Sequence, residues 1–228
     1  MRLSDTLGLT PTWERFGLLA FNDHFAQRKI GKTFGRVRSL IPLPTASGAQ
    51  WAESELEAKT IEQIAFLPQV YDLMTQVIVE YDRAGKKHTY TPDILVQLYA
   101  DGEPGRARYV IEVKRQDALK RIDDEMRERF KIGREFAAAL GAKFRIVTEA
   151  EIETPYLVNA RWLRRRLGDE PDALYLDQLQ AALAKAPLKW GDLASRLVAE
   201  GILEPDANDA IEEAITFRWI ACDLSKHL

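Results

Sequence analysis

A chain of 228 residues that is 46% hydrophobic and 29% charged, with no low-complexity tract, suits one or two folded domains and excludes a disordered or fibrous protein. The lone cysteine, Cys222, excludes an internal disulfide, and His24, His88 and His227 are too scattered to suggest a zinc site. The net charge of −3 hides a segmentation. Lys/Arg stand against Asp/Glu as seven to three over residues 1–50, four to ten over 51–105, sixteen to ten over 106–166 and five to twelve over 167–228. Two basic segments flanking an acidic one suit a polyanion held beside a carboxylate cluster, whereas the acidic C-terminal segment does not suit contact with phosphates. No apolar run reaches the length of a membrane span, and the first residues lack the order of a signal peptide; a cytoplasmic protein without a membrane partner is expected.

In chain order, the Gly- and basic-rich residues 1–50 predict a short helix near 11–24 and then an extended arm through IPLPTASGAQ. ESELEAKTIEQIAFL predicts a helix over 53–67, stopped by Pro68. Its apolar stripe is Leu56, Ile61, Ile64, Ala65 and Leu67, and Glu55, Lys59 and Glu62 share a face suited to surface ion pairs. Glu57 falls with the stripe, where an unpaired carboxylate is costly. Glu53 competes with it, and the preference of glutamate for a first helical turn also accounts for Glu57.

TQVIVEY (75–81), TYTPDILVQLYA (89–100) and ARYVIEVKR (107–115), separated by DRAGKKH and DGEPG, predict three consecutive strands of an antiparallel meander. A long helix over about 117–140, ending at Gly141, then leads to a strand at 143–149 and a helix at 155–167. The polar break GDEPD at 168–172 marks a boundary. Beyond it, helices at about 173–185, 190–200 and 206–216 with a short strand in FRWIACDL suit a winged-helix-like module. The expected units are a basic helix and arm (1–50), an α/β domain (51–167) and a small helical domain (168–228).

YVIEVKR carries the chemistry. In a strand Tyr109, Ile111 and Val113 face one side, and Val110, Glu112 and Lys114 the other. An ion pair on a solvated face explains Glu112 and Lys114 taken alone. Asp93, however, follows Pro92 at the start of the preceding strand and shares a face with Leu95 and Gln97, so it falls beside Glu112 and Lys114, with Glu57 on the helix that should cover the same sheet. TPD at 91–93 and EVK at 112–114 are the layout of the PD-(D/E)xK nuclease core. Hard oxygens suit Mg2+, with Mn2+ as a substitute: Asp93, Glu112, the Val113 carbonyl and Glu57 are the candidate ligands, and Lys114 can orient or activate water and offset phosphate charge. Lys120, Arg121, Arg127, Arg129, Lys131 and Arg134 on the 117–140 helix are candidate contacts to the DNA backbone, although the interleaved Asp123, Asp124, Glu125 and Glu128 equally suit a solvated face.

QWAESELEAKTIEQIAFLPQVYDLMTQVIVEYDRAGKKHTYTPDILV, IEVK and the later IVTEAEIETPYLVNARWL resemble the N-terminal nuclease domain of the TnsA family, the endonuclease subunits of heteromeric transposases. The resemblance covers about residues 30–167, and for 168–228 it is one of outline only. It implies a restriction-endonuclease-like mixed sheet flanked by helices, followed by a helical, winged-helix-like C-terminal domain. It also implies a metal-dependent DNA endonuclease with Glu57, Asp93, Glu112 and Lys114 as catalytic residues. Glu112 stands where some family members have glutamine; a carboxylate is usual in the wider nuclease class. The implied role is cleavage of the non-transferred strands at the 5′ ends of a mobile element. The implied partners are double-stranded DNA at those ends, a DDE-type (TnsB-like) transposase that cuts and joins the 3′ ends, and an AAA+ (TnsC-like) regulator. A stand-alone restriction or repair nuclease of the same core, or a non-catalytic assembly module, are the alternatives.

Overall fold

β1 (Ser39–Ile41) pairs antiparallel with β2 (Gln50–Ala52), so the second half of the expected arm is a folded hairpin that buries Ile41, Leu43 and Ala52. The computed structural model describes residues 39–43, 45, 47–67, 69–100, 103–168 and 172–226; the helix expected near 11–24 lies outside them. Helix α1 (Glu55–Ala65) starts at Ser54, whose hydroxyl accepts from the Glu57 amide. Its Ala58, Ile61 and Ala65 are buried as its periodicity requires. Glu62 departs from expectation: it is 4% exposed rather than solvated, because the carboxylate is gripped by Arg161 and Arg164.

The predicted meander divides differently. β3 (Val70–Thr75) ends where Gln76 adopts φ +57, and the chain leaves the sheet as a hairpin, β4 (Val79–Arg83) and β5 (Lys86–Tyr90), turned by Ala84 and Gly85 with positive φ. Pro92, which has no N–H to give a ladder, separates this hairpin from β6 (Ile94–Ala100). β6 pairs antiparallel with β3 on one side and with β7 (Glu103–Val113) on the other, and β8 (Lys143–Val147) adds parallel to β7. The result is a four-stranded mixed sheet, ordered β3-β6-β7-β8, with the β4–β5 hairpin apart from it.

The β7 to β8 connection holds two helices rather than the single one expected over 117–140: α2 (Gln116–Leu119) and α3 (Asp124–Ala139). Asp123 causes the break by accepting from the Met126 amide at 2.8 Å as the N-cap of α3. α1 packs Ile61 and Ala65 against Ile111 and Val113 on one face of the sheet. α3 packs Phe136, Ala137 and Leu140 against Leu95 and Val110 on the other. The protein is therefore an α/β fold with a mixed sheet between helical layers.

After β8 come α4 (Glu149–Ile152), α5 (Pro155–Arg164), a 3-10 turn at Arg165–Gly168, and three helices, α6 (Leu176–Leu183), α7 (Trp190–Ala199) and α8 (Glu204–Thr216). The expected strand in FRWIACDL does not form. Instead Trp219 N and Ile220 N both donate to the Ala214 carbonyl, with Arg218 at φ +63, so these amides terminate α8 and are not available to a ladder. Among the described residues the C-terminal module is three helices without a wing. Its core is not its own: Phe66 at the end of α1 and Ala160 and Leu163 of α5 are buried with Leu179, Leu197 and Ile211. Arg218 adds a tether, donating to the Leu67 and Val70 carbonyls and lying over the Tyr99 ring. No helix among the described residues is long and apolar enough to cross a membrane.

Candidate active site

The sheet register places Ile94 opposite Ile111, which sets Asp93 level with Glu112 as β6 begins and β7 ends. Asp93 Oδ2 accepts from Val113 N at 2.7 Å and from Lys114 Nζ at 2.9 Å. Lys114 Nζ also donates to Glu112 Oε2 at 2.9 Å and to the Val113 carbonyl at 3.0 Å. Asp93, Glu112, Val113 and Lys114 thus converge on one point. Glu57 does not reach it: Oε1 accepts from Ser54 Oγ at 3.0 Å and Oε2 from Glu53 N at 2.8 Å, which folds the carboxylate back over the start of α1. It is near enough for its charge to act on Asp93.

Three groups hold Glu112, which is completely buried. Besides Lys114, Tyr90 Oη donates to Oε1 at 2.8 Å and Arg129 Nε donates to Oε2 at 2.8 Å. Arg129 also donates from Nη2 to the Thr91 carbonyl at 2.6 Å, pinning the turn that presents Asp93, and lies over the Tyr90 ring. Sequence reasoning did not find Tyr90, and it placed Arg129 on the DNA-facing surface of a helix; the structure turns it into the carboxylate pair instead. Gly133, one turn further along α3, makes this possible. A Cβ there would lie 2.6 Å from Tyr90 Oη and 2.5 Å from Phe144, so only glycine lets α3 come close enough. A glycine inside a helix, in KIGRE, was the signal available in the sequence.

The charges follow from this packing. Burial, and then the Glu112 charge, push Asp93 up to about 7. Burial also opposes the Glu112 carboxylate, but the Arg129 hydrogen bond and the Lys114 charge outweigh it and hold Glu112 below the ordinary range. Of the two, Glu112 keeps its charge and Asp93 takes the proton first. Lys114 is disfavoured by burial yet raised by Asp93 and Glu112, so it stays an ammonium. Tyr90, buried beside Glu112, is raised and stays neutral.

Among the described residues no three His, Cys, Asp or Glu side chains group closely enough to hold a metal by themselves. Magnesium does not need such a cage, since one or two carboxylates with carbonyl and water ligands suffice. The oxygen set fits a cation, because Lys114 Nζ is itself a cation bound by Asp93, Glu112 and the Val113 carbonyl within 3.0 Å.

Two cavities flank Lys114. One of about 770 Å³ runs between the start of α1 and the α2–α3 connection and is lined by Lys114, Arg115, Lys120 and Arg121. The other, about 510 Å³, is lined by Tyr90, Lys114, Met126 and Arg129. Of the predicted DNA contacts, Lys120 and Arg121 therefore lie in the break between helices, beside the site. Arg127 and Lys131 are exposed on α3, and Arg134 lies over the Phe144 ring.

Residues 61–149 match the family described as TnsA-like endonuclease N terminal. That span includes Asp93, Glu112, Lys114 and Arg129 and leaves out Glu57 and the C-terminal helices. A comparison with curated proteins gave no match. With a carboxylate pair and a lysine gathered where β6 begins and β7 ends, inside the matched span, residues 61–149 are similar to the N-terminal domain of TnsA-like endonucleases.

Proposed function

We propose that this protein is a magnesium-dependent endonuclease that cuts the non-transferred strands at the 5′ ends of a mobile element, while a DDE-type transposase processes the 3′ ends and an AAA+ regulator licenses both. The observation that carries this reading is that Lys114 Nζ lies within 3.0 Å of Asp93 Oδ2, Glu112 Oε2 and the Val113 carbonyl at once, with Asp93 also fastened to Val113 N. Asp93, Glu112 and the Val113 carbonyl would hold the divalent ion; Glu57 would join them only by giving up its hydrogen bonds to Ser54 and Glu53 at the start of α1. Bound there, the ion supplies Lewis-acid polarisation of the phosphate and stabilises charge on the leaving oxygen.

Lys114, which Asp93 and Glu112 hold as an ammonium in the free protein, is a hydrogen-bond donor of the site. It orients a water in line with the scissile P–O3′ bond and offsets the charge of the phosphate. Lys120 and Arg121, lining the larger cavity, and Arg127 and Arg134 on α3 contact the DNA backbone and fix its register. The products are 3′-hydroxyl and 5′-phosphate ends.

The test is strand-resolved cleavage of a labelled element end by the assembled complex in magnesium. Loss of the 5′-strand cuts alone in Asp93→Ala and Lys114→Ala is the expected result. Unchanged cuts would refute the assignment, and full activity without partners would favour a stand-alone nuclease.

A further inference from the structure

Nothing in the Asp…Glu-x-Lys pattern requires Arg129, yet it leaves the exposed side of α3 for the carboxylates. Its Nε shares Glu112 Oε2 with Lys114, and its Nη2 lies 3.5 Å from Asp93 Oδ1. With both carboxylates ionised, the two cations leave this pair of carboxylates formally neutralised. A divalent ion arriving alone then brings an excess of positive charge, which a DNA phosphate can offset.

Arg129 also has space beside it. Its side chain is 37% exposed whereas that of Glu112 is 0% exposed, and it borders the cavity of about 510 Å³ opposite Asp123 and Met126. Its Nη1 makes no hydrogen bond among the described residues. A guanidinium fork matches a phosphate as well as a carboxylate.

Building on the metal-dependent reading above, we propose that Arg129 is an exchangeable counter-cation: it neutralises Glu112 and Asp93 in the free protein, then gives up Glu112 for a non-bridging oxygen of the scissile phosphate as metal and DNA bind. Metal binding and DNA binding thereby favour one another, because each removes the obstacle to the other. Helix α3 becomes the element through which the DNA gates the site.

The test is calorimetry of Mn2+ binding to the full chain, with and without a short DNA duplex, for the wild type, Arg129→Gln and Arg129→Lys. Without DNA, Arg129→Gln is expected to bind Mn2+ about tenfold more tightly than the wild type, the size that water-like screening leaves of the repulsion between a divalent ion and a guanidinium roughly 5 Å apart. Arg129→Lys keeps the charge and should stay close to the wild type. The duplex should tighten Mn2+ binding in the wild type and not in Arg129→Gln. Equal or weaker Mn2+ binding by Arg129→Gln would overturn the proposal, since a residue that only braces Glu112 predicts a loss; so would an Arg129→Lys isotherm like that of Arg129→Gln.

Should Arg129→Gln not fold, the wild type answers the same question through its arginine Nε–H spectrum. The Arg129 signal is expected to shift and exchange faster once Mg2+ and duplex are present, and an unmoved signal would count against the exchange. Asp93→Ala separates the two levels: loss of Mn2+ binding supports the metal reading and the exchange built on it, whereas an unchanged isotherm removes both.

Discussion

The two faces of β7 differ in what their helix brings. On the face under α1, Ile111 and Val113 meet Ile61, Ala65 and Ile152 in an apolar core. On the face under α3, Val110 is packed against Leu95 and Phe136, and two residues on, the same face ends in Glu112 held by Tyr90, Lys114 and Arg129. One strand thus carries a purely structural side and a side that turns from packing to chemistry within one period. The lesson is that the reactive group is not exposed on a loop but buried at a strand end, with every polar atom satisfied from other elements.

The strongest way to break this contrast is Glu112→Ala. It is expected to abolish cleavage in the assembled complex and to cost about 3–5 kcal/mol of stability, because Lys114 and Arg129 lose their shared buried partner. Denaturant unfolding alongside the cleavage assay checks both, and a variant as stable as the wild type would contradict the buried-pair account. Ile111→Ala, one residue away on the other face, is next. About 2–4 kcal/mol should be lost from the core under α1, while cleavage per folded molecule is unchanged. A comparable loss of cleavage at matched folded fraction would mean that the two faces are not separable.

An effect of comparable size comes from a single proton. The ordinary carboxyl value for Asp93 is 3.8 and the folded value is about 7, so between these the native state holds a proton that the unfolded chain has released. The associated stability is full below about pH 4 and is lost as pH rises through about 7. Melting curves in chelator should show the wild type losing stability relative to Asp93→Asn over that window and running parallel to it above; parallel curves throughout would remove the shift. The smallest perturbation is Gly133→Ala, about 1–3 kcal/mol from the forced contact with Tyr90 and Phe144. Part of that loss should return in Gly133→Ala with Tyr90→Phe, which removes the hydroxyl in the way. No recovery would place the strain at Phe144 alone.

The juxtaposition of Asp93, Glu112 and Lys114 was legible because strand alternation is strictly two-fold and a single Gly/Pro turn joins the two strands. The partition of 75–100 was not legible, since VIVEY reads as a strand of the main sheet and TYTPDILVQLYA as one continuous strand, and only Pro92 marks where the hairpin ends and β6 begins. Nor did helix periodicity single out Arg129. Basic residues recur along 120–134, and which of them turns inward is set by how closely α3 approaches Tyr90, a tertiary distance that Gly133 permits. The N-cap role of Asp123, written in the RIDDEM stretch, was hidden by neighbouring charges that read equally well as continuous helix.

The core beneath the C-terminal helices has a consequence for anyone who would divide or recombine this chain. Phe66, Ala160 and Leu163 come from the nuclease side of the 168 boundary but are buried among α6, α7 and α8, and Arg218 is fastened to the Leu67 and Val70 carbonyls. A graft joined at 168 would carry half of a lock without its key, leaving these apolar side chains open to solvent unless the incoming helices had co-varied with α1 and α5. The unit that can be exchanged intact between such proteins is therefore nuclease sheet and helical module together.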